Sequence, residues 1–346
     1  MNSLLELDGF EAATPVRSGP RAVRTVPAVM RPHPDLDYVQ IVPAKPARPQ
    51  GEIESEITGG DDSRGPVMDT APVPYRFVCW LDLDFGVIGG NHVVVRGTGT
   101  LISARHVLTA GHNLFNVFGG VARAVVGVRV GPGFNCLAKR GDIFGLARSL
   151  RTRVSDQWLN ARNRQFDYGV ITLRTPIGTS RPAALGGEQL GWWGSKELGA
   201  GTRINPTPIA RLTDRHVNTS GYPRDKCCVR DISLTQQCRA ASPLAPCQPN
   251  LWATVPFRSF GRITNTAPAA APRLMFYDLD TCPGHSGGPI WTTWRDDGTG
   301  TTYRNLVAIH TGVARTIVPA LANIANRGVR ITEDVMTDVR RLMRAP

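Results

Sequence analysis

The sequence predicts an antiparallel all-β fold with an irregular N-terminal extension and a C-terminal helix. Short β-branched runs such as Val170-Ile171-Thr172-Leu173 and Leu306-Val307-Ala308-Ile309 recur along the chain, and a pleated, half-buried surface favours such residues. They are punctuated by 36 glycines and 27 prolines, which end regular elements and supply turns. Long stretches of helical periodicity are few. The 346 residues suffice for a large core plus an appendage.

Residues 1–70 are that appendage. Pro15, Pro20, Pro27, Pro32, Pro34, Pro43, Pro46 and Pro49 interrupt any regular element, and hydrophobic periodicity is poor, so the stretch is expected to be disordered or loosely docked. It holds 7 basic and 11 acidic residues against 33 and 17 in the remainder, giving formal charges of about −4 and +16. Opposite charge permits a docked prosegment; a solvated tail is the alternative. Within residues 71–346, the run Gly99 to His112 reads as an apolar strand, a polar turn and a second strand. In Phe166-Asp167-Tyr168-Gly169-Val170, an acid stands at the mouth of a β-branched strand. At the far end Thr332 can cap a helix, Glu333 and Asp334 suit its first-turn dipole, and Val335, Val339 and Leu342 form an apolar stripe. Arg340, Arg341 and Arg344 suit its other end.

Three segments carry the chemistry. In Thr281-Cys282-Pro283-Gly284-His285-Ser286-Gly287-Gly288-Pro289 a hydroxyl sits between glycines. A serine needs a base to take its proton and backbone donors to hold a developing oxyanion. Gly284 allows a turn that aims its own N–H and that of Ser286 at one point. The base would be His112, delivered just after Ala110 and Gly111, and the carboxylate orienting it would be Asp167. Taken singly, each has a structural reading as a turn, a helix-start histidine or a strand-end charge. Together they follow the chain order His, Asp, Ser of one known triad architecture.

On these residues the chain resembles the chymotrypsin-fold (trypsin-like) serine proteases, most closely the bacterial glutamyl endopeptidase branch. Gly221-Tyr222-Pro223-Arg224-Asp225-Lys226, Tyr277-Asp278-Leu279-Asp280-Thr281 and Leu306 to Gly312 extend the likeness over roughly residues 72–344. The resemblance implies two six-stranded antiparallel barrels with a catalytic cleft between them, and an acyl-enzyme on Ser286 that needs no metal or organic cofactor. It also implies that Thr281 and His310 bind a glutamate side chain before the scissile bond, with Thr311, Gly312 and Val313 pairing with extended substrate. Asp280 leaves a trypsin-like reading open, since an acid six residues before the nucleophile selects Arg or Lys in trypsin-like enzymes. An acidic preference fits a histidine that donates to a carboxylate and a net positive domain.

The likeness also frames the departures. Ile57-Thr58-Gly59-Gly60 resembles the N-terminus freed when such zymogens are cut, yet the residue before the nucleophile, normally the acid that receives the freed amine, is His285. Asn113 follows His112 where relatives carry a cysteine. The seven cysteines are Cys79, Cys136, Cys227, Cys228, Cys238, Cys247 and Cys282, an odd number, so at least one is free or pairs with another molecule. Four of them lie in an apparent insertion at about 227–250 that suits a disulfide-stapled loop better than a zinc site. Trp192-Trp193 reads as an interbarrel surface loop. Arginines are dispersed without a groove-reading motif, so polyanion binding is expected to be incidental. An inactive peptide-binding module is the competing class; intact candidates for all three catalytic roles argue against it. No run approaches the roughly 20 apolar residues that span a bilayer, and the start shows no secretory signal. A cytoplasmic location, or export by another route, is therefore expected. Protein or peptide substrates are the expected partners; the sequence leaves the oligomeric state open.

Overall fold

A computed structural model of the protein describes residues 57–58, 62–118, 120–135, 143–195, 201–208, 211–223, 255–265, 271–295, 301–314 and 325–344. Strand β1 is Gly65–Pro66, β2 Val78–Ile88, β3 Asn91–Ser103, β4 His106–Thr109, β5 Phe115–Phe118, β6 Val121–Ala124, β7 Gly127–Pro132, β8 Ala147–Val154 and β9 Gly169–Leu173. Strands β2-β3-β4-β9-β8-β7 close a six-stranded antiparallel barrel. Period two is visible in β2, where Cys79, Leu81, Leu83 and Phe85 enter the core. On the opposite face Asp82 is bound by Arg96 and Arg129. The buried Cys79 thiol has its pKa pushed up by desolvation.

The second barrel contains β11 (His216–Gly221), β12 (Phe257–Asn265), β13 (Leu274–Tyr277), β14 (Pro289–Arg295), β15 (Thr302–Val313) and β16 (Asn326–Arg330). They run in the order β12-β11-β14-β15-β16-β13, closed where Ile263 of β12 pairs with Tyr277 of β13. Val217, Ile263, Met275, Tyr277, Leu279, Ile290 and Val307 fill it. Strand β10 (Thr202–Arg203) adds in parallel to β15, and β1 adds to β12. The architecture is therefore the two-barrel all-β fold that the family resemblance implied.

Apolar side chains join the barrels. Trp193 packs on Phe77 and Trp291 with ring centroids 6.1 Å apart in each case, and its indole N–H donates to Thr100 Oγ1 at 2.7 Å. This corrects the surface-loop expectation: Trp193 is 1% exposed, because a large ring with one satisfied polar group gains most by filling the seam. The expected C-terminal helix is present as Glu333–Arg344. Thr332 Oγ1 accepts from Val335 N at 3.3 Å, and Val335, Met336, Val339 and Leu342 are buried. Tyr168, next to Asp167, donates to Asp338 of this helix at 2.8 Å. Burial and that carboxylate raise the phenol pKa, which keeps the donor protonated.

The end of the extension is built into the fold. Val67 N donates to Pro256 O at 2.8 Å and Thr70 Oγ1 to Gly133 O at 2.7 Å, with Val67 and Thr70 both buried. Residues 1–56, Cys136 and the whole cysteine-rich insertion lie outside the described residues. No helix among the described residues is long and apolar enough to cross a membrane.

His106, at the start of β4, provides a test of the first barrel. Burial, then the charges of Arg151 and Arg105, lower its pKa, with a hydrogen bond from the ring to the Met343 backbone carbonyl opposing. The unfolded chain then holds the proton more tightly. The stability from neutral His106 is complete above the unfolded pKa of about 6.5 and is lost as pH falls through the lower folded value. Thermal unfolding of His106→Gln is expected to show a shallower loss of midpoint below about pH 6.5 than the parent; equal slopes would show that His106 is not a source of the dependence.

Candidate active site

Three strand ends assemble the site. Strands β4 and β9 are paired with Thr109 opposite Gly169, so the 3₁₀ turn Gly111–Asn113 lies beside the chain entering β9. Asp167 caps the preceding 3₁₀ turn, Arg164–Phe166. Its carboxylate grips the histidine twice: Oδ1 accepts from His112 N at 2.9 Å and Oδ2 from His112 Nδ1 at 2.7 Å. With Nδ1 as donor, the neutral ring carries its lone pair on Nε2, the form a general base needs. His112 is 5% and Asp167 1% exposed.

A short helix, α1 (Asp156–Ala161), holds this pair in place. Its N-cap Ser155 accepts from Trp158 N at 3.1 Å and donates to Phe166 O at 2.6 Å. Trp158 meets the His112 ring edge-on at 6.2 Å, and its indole N–H donates to Phe115 O at 3.0 Å. The cap thereby couples a bulky apolar wall of the site to the residue before Asp167.

Ser286, 2% exposed, stands on the turn that leads into β14. Its carbonyl accepts from Thr98 N at 3.0 Å and from Asn113 Nδ2 at 2.8 Å. Asn113 also donates to Thr109 Oγ1 at 2.9 Å, and Thr98 Oγ1 donates to Gly284 O at 2.7 Å. The first barrel thus grips the serine turn through the residue that follows His112. From the second barrel, Gly287 N donates to His310 O at 2.8 Å and His310 N to Gly288 O at 2.9 Å. Gly287 has φ +85°, and a Cβ there would lie 2.1 Å from Thr109 Oγ1, so only glycine lets the turn approach so closely.

The N–H groups of the turn divide into two sets. Those of His285, Gly287 and Gly288 donate to Cys282, His310 and His285 carbonyls, whereas those of Gly284 and Ser286 donate to none among the described residues. Gly284 has φ +101°.

The residues expected to bind substrate divide as well. Thr281 and His310 are buried, and His310 Nδ1 lies 2.9 Å from the Tyr277 hydroxyl. A phenol donating to Nδ1 leaves the proton of the neutral ring on Nε2. Thr311 accepts from Arg327 Nη1 through its carbonyl at 3.2 Å and its hydroxyl at 3.1 Å. Gly312, at φ +124°, follows a register shift between His310 and Gly312. Asp280 is fully buried and engaged elsewhere: Oδ1 accepts from Thr58 N at 2.7 Å and Thr58 Oγ1 at 3.0 Å, and Oδ2 from Ser63 N at 2.8 Å and from the Ser63 hydroxyl. Both of its oxygens are thus bonded from the end of the extension, and the Thr58 hydroxyl also reaches Asp278 O.

Sequence reasoning did not reach Asn113 as a clamp, nor Thr98, Trp158 or Tyr277. The clue to Asn113 was an amide where relatives carry a cysteine. Its counterpart is Gly97, where a Cβ would come within 2.9 Å of Asn113 Nδ2. No group of three or more His, Cys, Asp or Glu placed to hold a metal occurs among the described residues.

No protein-family model and no curated protein matches the chain. Among solved structures, it is similar to one described as a Glu endopeptidase in complex with MPD, at 22% identity and TM-score 0.53 over 82% of this chain and 97% of that one. The fold is that of the chymotrypsin-like serine proteases. Also similar are the protease Anisep from Arthrobacter nicotinovorans, at 14% identity and TM-score 0.48 over 82% of this chain and 100% of that one, and HL collagenase, at 14% and 0.49 over 82% and 98%. The turns that carry His112, Asp167 and Ser286 meet where the first barrel bonds the serine turn of the second.

Proposed function

We propose that the chain is a serine endopeptidase that cleaves after acidic residues through an acyl-enzyme on Ser286. The observation that carries the proposal is the pair of hydrogen bonds that His112 donates to Asp167, beside a serine turn that Asn113 and Thr98 fasten to the same barrel. Ser286 Oγ attacks the scissile carbonyl while His112 Nε2 takes its proton. The N–H groups of Gly284 and Ser286 stabilise the oxyanion. The imidazolium, held by Asp167, then protonates the leaving amine, and a water activated by His112 releases the acyl group. This chemistry draws on the chain's own residues throughout.

Three observations support an acidic preference. With the Tyr277 hydroxyl donating to Nδ1, the neutral His310 ring carries its proton on Nε2, which suits a carboxylate. Asp280 is occupied by Thr58 and Ser63, so a basic side chain would find both of its oxygens already bonded. The residues after the extension carry a formal charge of about +16, which draws acidic segments toward the cleft. Extended substrate would add along Thr311 and Gly312, which continue β15 beyond its last paired residue on the β14 side, Ile309.

The test is cleavage of a peptide library by the full chain, with cut sites read by mass spectrometry and Ser286→Ala as control. Cuts after Glu or Asp, absent in the control, are expected. His310→Leu should lower kcat/KM on Glu peptides by roughly 10- to 100-fold, the worth of a hydrogen bond to a charged group. Tyr277→Phe should lower it less, chiefly through KM. Cuts after Arg or Lys would overturn the acidic preference, and no cutting would favour the peptide-binding module.

A further inference from the structure

We propose that His285 assembles the oxyanion turn in the uncut chain, so that the enzyme works without release of residues 1–56. The inference rests on the endopeptidase reading and concerns how that site is controlled.

His285 is fully buried immediately before Ser286, and both ring nitrogens are in use. Nδ1 accepts from Cys282 N at 3.2 Å, and Nε2 lies 3.3 Å from Phe257 O. A carbonyl can only accept, so Nε2 carries the proton and Nδ1 the lone pair. Both partners therefore select one neutral tautomer. The backbone of the same residue closes the turn: His285 N donates to Cys282 O at 2.9 Å, and Gly288 N donates to His285 O at 2.7 Å. The ring also presses on β11, where a Cβ at Gly221 would lie 2.8 Å from His285 Cδ2. Phe257 opens β12, opposite Gly221, so the imidazole pins the serine turn to two adjacent strands of the second barrel.

The charge of the residue at this position decides what the turn needs. A buried carboxylate requires a counter-charge, which ties assembly of a turn to arrival of a cation such as a freed amine. A buried neutral imidazole requires only a donor and an acceptor, and the chain supplies both.

An independent observation concerns the extension. Thr58 is seated on Asp280 through its peptide N–H and hydroxyl, and Ser63 through its own N–H and hydroxyl. None of these donors is an amine that cleavage must create. The segment that begins at Ile57 is thus already docked, on Asp280, while still joined to the residues before it.

The experiment uses the full chain with Glu56→Gln, which blocks a cut before Ile57 by an acid-preferring enzyme, its integrity checked by intact mass after assay. Its kcat/KM on a Glu peptide is expected to lie within about twofold of the form lacking residues 1–56. His285→Leu should lower kcat by roughly 100-fold or more with little change in KM, as loss of an ordered oxyanion site does, and His285→Gln, which keeps one donor and one acceptor, should recover part of it. An intact chain that stays silent until residues 1–56 are removed would overturn the proposal, as would a His285→Leu enzyme with normal kcat. If neither intact nor cut chain hydrolyses peptide or reacts with a fluorophosphonate, the endopeptidase reading beneath it falls.

Discussion

Ser286→Ala is expected to lower kcat by roughly 10⁶-fold while leaving KM and the thermal midpoint close to those of the parent. The size of the effect follows from covalent catalysis: without Oγ no acyl-enzyme forms, and what remains is the contribution of oxyanion donors and substrate binding. The fold should tolerate the change. The turn is held by the Ser286 carbonyl, through Thr98 N and Asn113 Nδ2, and by Gly287 N on His310 O, and none of these bonds uses the hydroxyl. Steady-state hydrolysis with a parallel melting curve separates the two outcomes. Activity retained within tenfold would place the nucleophile elsewhere.

Asp167→Asn carries the second-largest expectation, a fall of roughly 10⁴-fold in kcat near neutral pH. Asp167 accepts from both the backbone N and Nδ1 of His112. An amide offers only one acceptor. If its oxygen keeps the backbone bond, its NH₂ group faces Nδ1, and the ring must shift its proton to Nε2. A protonated Nε2 cannot take the serine proton. The structural cost should be small, because the two side chains have nearly the same shape and Trp158 and Ser155 still hold the neighbouring turn. A kcat that falls while KM and the melting midpoint hold would show a positioning role; loss of folding at 25 °C would instead mark Asp167 as chiefly structural.

Much of this was legible in the sequence because it is local. His112, Asp167 and Ser286 each stand at the end or the start of a strand whose β-branched pattern announces it. The C-terminal helix could be read from Thr332, its acidic first turn and its Val335-Val339-Leu342 stripe. What escaped is mostly the product of distant chain segments meeting. Asn113 bonds a carbonyl 173 residues away, and Thr58 bonds an acid 222 residues away; no periodicity encodes either. Trp193 read as surface because it sits among glycines without a strand pattern, yet the seam between barrels buries it. The role of His285 stayed open for a related reason: its meaning depends on Cys282 N and Phe257 O, a donor and an acceptor that only the folded backbone supplies. Asp280 could be read toward either substrate charge, and its bonds to Thr58 and Ser63, more than 200 residues away, had no signal in the sequence.

The proposed role of Ser286 is that of a nucleophile activated by His112 and Asp167. Its most direct test is reaction of the full chain with a fluorophosphonate, followed by intact mass and peptide mapping. One adduct per chain is expected, on Ser286, absent in Ser286→Ala and formed far more slowly in Asp167→Asn. No adduct on a folded chain, or an adduct on another residue, would contradict it.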